Sequence, residues 1–264
     1  MDHIYWHKQT AEKPLFPDLL WSRPENKAHA GKLLIVGGNA HSLAAPAEAY
    51  SEAIKAGIGT VRVILPDSLQ KTVGKLFPEA EFAPSTPSGS FATRALAELL
   101  AASAWADGIL LASDFGKNSE TAILLEKLLE KYHGQLTLCG DALDYFINSP
   151  QNLFQRSATS LVPSFEQLQK LAQHANFLQA FTSKTDLLHM VDKLHGFSLE
   201  HQAAIVINHL ENTMVAVDGQ VSTTKQGNAM HSNIKTATHA AVWWLQNPVK
   251  PFEAVTTGCF DIGV

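Results

Sequence analysis

The sequence predicts an α/β fold, a three-layer α/β/α sandwich around a mainly parallel central sheet, and three observations carry that prediction. Short runs rich in β-branched residues alternate repeatedly with longer helical stretches. The runs are apolar almost throughout, as in Leu33-Leu34-Ile35-Val36 and Val61-Arg62-Val63-Ile64-Leu65, which is the pattern of parallel strands covered by helices on both faces. No repeat, low-complexity tract or linker breaks the alternation. The 264 residues, 45% hydrophobic and 17% charged, suit one domain with a sizeable core. Residues 31–264 are therefore expected to form a single domain. Residues 1–30, rich in Pro, Lys, His and aromatics but without a period, are expected to form an irregular arm that packs Trp6, Phe16 and Trp21 onto it.

The elements follow in order. The first strand leads through Gly37-Gly38 into an Ala-rich helix over residues 44–56, and the strand at 61–65 comes next. Residues 92–106 have apolar positions three and four apart and read as a helix before the strand at 108–111. Ser119, with Glu120 and Thr121 in the first turn, is expected to cap a helix reaching Tyr132. The strand at 135–139 leads to Asp141 and another helix, and the strand at 159–162 leads through Pro163 to a helix over 165–173. A helix over 183–194 precedes the strand at 204–207. Residues 213–222 read as a hairpin turning at Asp218-Gly219. A helix over 233–245 and an apolar segment after Pro251 complete the order.

Composition excludes several classes of function. The formal net charge of −5 provides no basic patch for phosphates, so no nucleic-acid partner is expected. The start, Met1 to Lys8, lacks the basic and apolar regions of a secretory signal, and the most apolar window, 99–113, is short and contains Asp107. No membrane association is expected, and the cytoplasm is the predicted compartment. Cys139 and Cys259 lie far apart in apolar segments and are expected to be reduced, buried thiols. The twelve histidines are scattered, and no metal site is expected.

Ligands of doubly wound folds bind at the carboxyl ends of the strands, so the loops there are the places for chemistry. The first is Gly37-Gly38-Asn39-Ala40-His41-Ser42. Its glycines allow close backbone approach to a ligand, although any tight β-α turn uses the same pair. The second is Ala112 to Ser119 and the third is Gly140-Asp141-Ala142-Leu143. Each has a carboxylate just past a strand end. Asp141 has two readings, a cap for its own helix or a chemical group, whereas Asp114 has no evident capping role.

In that order and spacing the chain, from Lys32 onward, resembles the NAD(P)H-hydrate dehydratases of the ribokinase-like superfamily. Their Gly-Gly-Ser turn, Gly-Ala-Pro helix start and Gly-x-Gly correspond to Gly37-Gly38-Asn39, Ala44-Ala45-Pro46 and Gly57-Ile58-Gly59. Pro78-Glu79 stands where the family has a Pro-Glu pair, and Asp141-Ala142-Leu143 reproduces the end of its Asp-Ala-Asp-Ala-Leu. The resemblance implies a ribokinase-like fold and phosphorylation of the hydrate hydroxyl followed by elimination, with ADP or ATP and Mg as cofactors. It implies substrate contacts at Gly37, Gly38, Asn39, Ala45, Gly116 and Ser164, and nucleotide contacts at Asn208, Asn233 and Ile234. It places Lys235 at the family's catalytic Asp position, where a lysine is expected to be inactive; Asp114 and Asp141, singled out by their loops, are the other catalytic candidates. A homo-oligomer is implied as well.

Several reactive positions depart from the family. Only Gly116 survives of its Gly-Pro-Gly-Leu-Gly loop, and Cys139 replaces an Asp. Thr-Pro-His becomes Val162-Pro163-Ser164, and Leu-Lys-Gly becomes Ile207-Asn208-His209. Gly-Thr-Gly-Asp, which supplies an anion hole and a base, becomes Ser232-Asn233-Ile234-Lys235. A protonated lysine cannot take up a hydroxyl proton unless burial lowers its pKa by about three units. A β-branched isoleucine disfavours the turn that glycine permits.

The expectation is a diverged member without family-type catalysis that keeps at most a small-molecule or nucleotide ligand in the old cleft. One alternative is an active dehydratase in which Asp114, Asp141, His41 or His231 serves as acid or base and Lys235 clamps phosphate. Another is a ribokinase-like kinase of a small hydroxylated metabolite. The adjacent Trp243 and Trp244 suit either an oligomer interface or the core.

Overall fold

Strands β1 (Trp6–Gln9), β2 (Lys32–Val36), β3 (Thr60–Pro66), β4 (Ala80–Ala83), β5 (Gly108–Leu111), β6 (Gln135–Cys139), β7 (Thr159–Val162), β8 (Ala204–His209), β9 (Asn212–Val217) and β10 (Gln220–Lys225) join in one sheet. Their order is β1-β10-β9-β8-β7-β6-β5-β2-β3-β4. The structure is a computed structural model and describes residues 3–226 and 231–263. Among these, neighbouring strands run parallel except where β9 pairs with β8 and β10. The reversal is local. Leu210-Glu211 and Asp218-Gly219 join these strands, and all four residues have positive φ, the geometry of two-residue hairpins. Asp218-Gly219 announces its turn. Leu210-Glu211 does not, because neither residue favours that region.

The helices are α1 (Pro17–Trp21), α2 (Ala44–Lys55), α3 (Gln70–Val73), α4 (Leu96–Trp105), α5 (Ser119–Lys131), α6 (Gln151–Phe154), α7 (Phe165–His174), α8 (Leu187–Glu200), α9 (Asn233–Gln246) and α10 (Pro251–Asp261). Alternate strand residues feed two cores. Leu34, Val36, Ile109 and Leu111 face a cluster with Leu99 of α4, Leu124 and Leu128 of α5, Leu168 of α7 and Phe197 of α8. Leu33, Ile35 and Leu110 face the other cluster, with Ala49 and Ala53 of α2, Ala237 and Ala241 of α9 and Val255 of α10. Residues 33–36 of β2 are fully buried, each side chain contributing about 1.5–3 kcal/mol. The three-layer sandwich with a mainly parallel sheet is therefore present, and its ends fix the loops considered below.

Several local expectations need correction. Residues 6–9 are not irregular: β1 pairs with β10, and the Trp6 indole donates to Thr223 Oγ1 at 3.1 Å. Phe16 meets Phe252 edge to face, but Trp21 is 88% exposed and does not pack. His3 and His7, four residues apart, diverge to Tyr5 and Gln220. Asn118, one residue before Ser119, caps α5 by accepting from the Glu120 amide. The helix expected from residue 183 starts only at Leu187, where Asp186 accepts from the His189 amide. Beyond Asp141 the chain makes short turns at Gly140–Ala142 and Asp144–Phe146 in place of a full helix. Strand β4 is a short edge strand without a sequence signal of its own.

Trp243 and Trp244 are both buried, so they serve the core and not an interface. Cys139 and Cys259 are buried and unbridged, and burial raises the pKa of both thiols. No helix among the described residues is long and apolar enough to cross a membrane.

A buried chain of polar groups ties α2, α9 and α10 together. His239 of α9 sits between Glu52 of α2, 3.3 Å from Nε2, and Asp261 of α10, 3.1 Å from Nδ1. Lys55 donates to Glu52, and the Trp243 indole donates to Asp261. Arg23 approaches Asp261 to 3.5 Å. Burial opposes ionisation of both carboxyls, yet their hydrogen bonds and neighbouring cations outweigh it and lower both pKa values. A lowered native pKa stabilises the fold above the ordinary carboxylate range, and that contribution is lost as pH falls through the lowered values. Asp261→Asn should therefore destabilise the protein by about 3 kcal/mol at neutral pH and flatten the loss of stability in acid. Melting temperatures measured from neutral pH to below about pH 4 check this, and an unchanged acid slope would refute it.

Candidate active site

The loops after β2, β5 and β6 interlock at the carboxyl edge of the sheet. Glycine makes the approach possible at two points. A Cβ on Gly37 would lie 2.6 Å from the Ser113 carbonyl oxygen, and one on Gly140, whose φ is +59°, would lie 2.2 Å from Ser113 Oγ. The Gly38 amide donates to the Ser113 carbonyl at 3.1 Å, and the Asn39 side-chain amide donates to the Asp114 carbonyl at 2.6 Å. Ser113 and Asp114 both adopt positive φ within this junction, a conformation costing about 1–3 kcal/mol each that the surrounding hydrogen bonds must offset.

Both carboxylates of these loops are engaged. Asp114 Oδ2 accepts from Ser42 Oγ at 2.8 Å and from the Ala45 amide at 2.9 Å. Asp114 therefore caps α2 from a distant loop, a role the sequence did not reveal, and it supplies what Leu43 at the N-cap cannot. Asp141 accepts from Ser113 Oγ at 3.0 Å and from the amides of Phe115 and Gly116 at 3.2 and 3.0 Å. It does not cap its own turn; it holds the β5 loop. Burial raises its pKa and Asp114 adds to the rise, while the two amides and Ser113 oppose it. The Tyr145 hydroxyl donates to the Gly116 carbonyl and fixes the same loop. Ser164 forms a capping box with Gln167 at the start of α7, and Gln167 reaches on to the Gly140 carbonyl.

A second group gathers at the start of α9. Asn208 donates to Asn233 Oδ1 and to the His231 carbonyl, and accepts from Thr213 Oγ1. Ser232 is the N-cap of α9, where its hydroxyl accepts from the Lys235 amide at 3.0 Å and donates to Glu48 of α2. The Lys235 ammonium lies 3.9 Å from Glu52 Oε2. Ile234 packs against the α2 and α9 core. Burial, with Lys235 and His239 nearby, lowers the pKa of His231, and His41 is exposed. Part of the loop before α9, residues 227–230, lies outside the described residues.

Asn208, Asn233 and Lys235 are thus brought together, while Gly37, Gly38, Asn39, Ala45, Asp114, Gly116 and Asp141 form the other group, with α2 running between. Glu48 and Glu52 were missed in the sequence. Their spacing of four on an Ala-rich helix was the available signal, since it places two carboxylates on one face. In the first group Asp114→Ala should cost about 0.5–2 kcal/mol as a lost cap. Asp141→Ala should cost more, about 1–3 kcal/mol for each amide left without an acceptor. Urea unfolding measures both, and a neutral Asp141→Ala would contradict the scaffold role.

Known proteins share this fold. A ribokinase-like superfamily protein from Enterococcus faecalis superposes with a TM-score of 0.70 at 18% identity, over 96% of this chain and 85% of that one. An ADP/ATP-dependent NAD(P)H-hydrate dehydratase from Bacillus subtilis, co-crystallised with ATP and magnesium, superposes with a TM-score of 0.63 at 14% identity, over 95% of this chain and 87% of that one. These likenesses establish a ribokinase-like fold. A bifunctional NAD(P)H-hydrate repair enzyme from Methanothermobacter thermautotrophicus is 29% identical over 121 residues, which are 45% of this chain and 23% of that enzyme. The match therefore spans less than a quarter of that relative's length. The sequence profile of the NAD(P)H-hydrate dehydratases matches residues 33–233, and the chain belongs to that family.

Proposed function

We propose that this chain is a diverged NAD(P)H-hydrate dehydratase-like protein that lacks family-type catalysis and keeps at most a small-molecule or nucleotide ligand in the cleft. The observation that carries this reading is the charge pattern at the start of α9. A helix N-terminus attracts anions through its partial positive charge. Here the Glu48 carboxylate stands on Ser232, and the Lys235 ammonium faces Glu52. A polyphosphate seated on this end of α9 would have to displace the Glu48 carboxylate from the Ser232 hydroxyl, which weakens the site for ADP or ATP.

The acid–base chemistry is also missing. An ammonium has no lone pair with which to accept a hydroxyl proton, and Lys235 stands at the family's Asp position. Asp114 and Asp141, the other carboxylates considered, accept two and three internal hydrogen bonds. The amides of Phe115 and Gly116 are committed to Asp141 and are not offered to an oxyanion.

The test is direct. Purified protein supplied with NADPH hydrate, magnesium and either ATP or ADP should restore the reduced-nicotinamide absorbance more slowly than an active family enzyme by over about 10³-fold. Calorimetric titration with each nucleotide measures any remaining affinity. Turnover at a family-like rate would overturn the proposal.

A further inference from the structure

The turn between β9 and β10 has a reactive sequence and an unusual restraint. Asp218 and Gly219 form it, with φ of +47° and +78°, and they are one of two Asp-Gly pairs in the chain. In such a pair the glycine nitrogen can attack the aspartate side-chain carbonyl carbon, because no Cβ on the glycine obstructs the five-membered ring that results.

Packing requires this glycine. A Cβ on Gly219 would lie 2.6 Å from Leu199 Cδ2 and 3.0 Å from Leu199 Cγ, and a positive φ disfavours other residues. The residue that lets α8 press on the turn is thus also the one that leaves the amide open to cyclisation. Asp218 is exposed, so water reaches its carboxyl group, whereas Gly219 is buried.

The grip of α8 on Gly219 is specific. Ser198, 2% exposed, accepts from the Gly219 amide at 3.1 Å and donates to the His195 carbonyl at 3.2 Å. His195 Nδ1 donates to the Gly219 carbonyl, and its ring stacks on Tyr5 at 3.7 Å. The hairpin does not need the Ser198 bond, since its closure rests on the pairing of Val217 with Gln220 on either side. Cyclisation requires the Gly219 nitrogen to lose its proton and turn toward the Asp218 side chain. Ser198 Oγ holds that N–H on the buried side of the turn.

The second pair, Asp107-Gly108, is an internal reference. The Asp107 carboxylate accepts from the Lys32 amide at 2.9 Å, and Gly108 is buried in β5 between its register partners Leu33 and Gln135. Ser198 makes no contact there.

We propose that Asp218-Gly219 is a site of spontaneous backbone isomerisation that Ser198 restrains. The Gly219 nitrogen bonds to Asp218 Cγ, and the carboxyl hydroxyl leaves with the amide proton as water, closing a succinimide. Solvent water then opens the ring. Cleavage of the bond from nitrogen to Asp218 Cγ restores aspartate, and cleavage of the bond to the Asp218 backbone carbonyl gives isoaspartate. The isoaspartyl link carries one extra backbone carbon, so the turn no longer matches the pairing of Val217 with Gln220. This inference does not depend on the reading of the carboxyl edge.

The test incubates the folded full chain at neutral pH in heavy-oxygen water and digests it in acid. Electron-transfer mass spectrometry then distinguishes isoaspartate from aspartate in the peptides holding each pair. Every passage through the ring leaves a heavy oxygen, so the step registers even where aspartate is restored. The folded wild-type chain is expected to label residues 218–219 more slowly than the same chain unfolded in guanidinium. Ser198→Ala, which removes the acceptor, should speed labelling of 218–219 about fivefold and leave 107–108 unchanged. Ser198→Cys keeps nearly the same volume with only a weak acceptor and serves where Ser198→Ala does not fold. An unchanged rate at 218–219 in a folded variant, equal acceleration of both pairs, or a folded wild-type rate equal to the unfolded one would each overturn the proposal.

Discussion

The close packing of α2 on α9, both lying on one face of the sheet, is the constraint on which the rest of this molecule depends. Small side chains permit it: Ala49 and Ala53 on one helix and Ala237, Ala240 and Ala241 on the other are fully buried in the same cluster. Helices that approach through alanine leave little room for large polar groups, so the few that enter must satisfy one another. Glu52, His239 and Asp261 do so in sequence, and the Trp243 indole and Arg23 complete the chain. An ion-paired network of this kind does not by itself guarantee high stability, because desolvating the charges offsets much of their attraction. Its effect is positional, since it sets the register of α2 against α9 and α10.

That register decides what stands at the carboxyl edge. With α2 held in place, Glu48 falls on Ser232 and Glu52 faces Lys235, so the start of α9 meets protein carboxylates. The other end of α2 is held from the β5 loop, where Asp114 takes the cap that Leu43 cannot provide. One helix thus links the two groups of loop residues. The glycines of the first group serve the approach of one loop to another, with Gly37 and Gly140 both against Ser113. The described contacts at these glycines are internal to the protein. Gly37, Gly140 and Asp141 therefore each have a role in the scaffold itself.

The two ends of the sheet also differ in electrostatic character. At the carboxyl edge acidic groups are matched by Lys235, Ser232 and loop amides. At the other end Asp107 and Asp218 border a cleft that Trp244, Pro248 and Pro251 also line. The parallel sheet keeps the two sets apart, sending every loop after β2, β5, β6 and β7 to one edge and every entry to those strands to the other.

The sequence by itself determined the layered architecture, because apolar runs at strand length and apolar faces at helix period are local signals that survive in any environment. It also determined the Asp218-Gly219 hairpin and the buried, unbridged state of both cysteines. It did not determine β1, whose pairing with β10 depends on an edge more than two hundred residues away. Nor did it determine the Leu210-Glu211 turn, where strand pairing on both sides overrides an unfavourable backbone preference. The roles of the carboxylates were decided by tertiary structure alone. Asp114 acts on a helix some seventy residues earlier and Asp141 on a loop twenty-five residues earlier. Glu48 reaches Ser232, 184 positions along the chain. A side chain's hydrogen-bond partner depends on which loops the sheet brings within about 3 Å, and no local pattern encodes that distance.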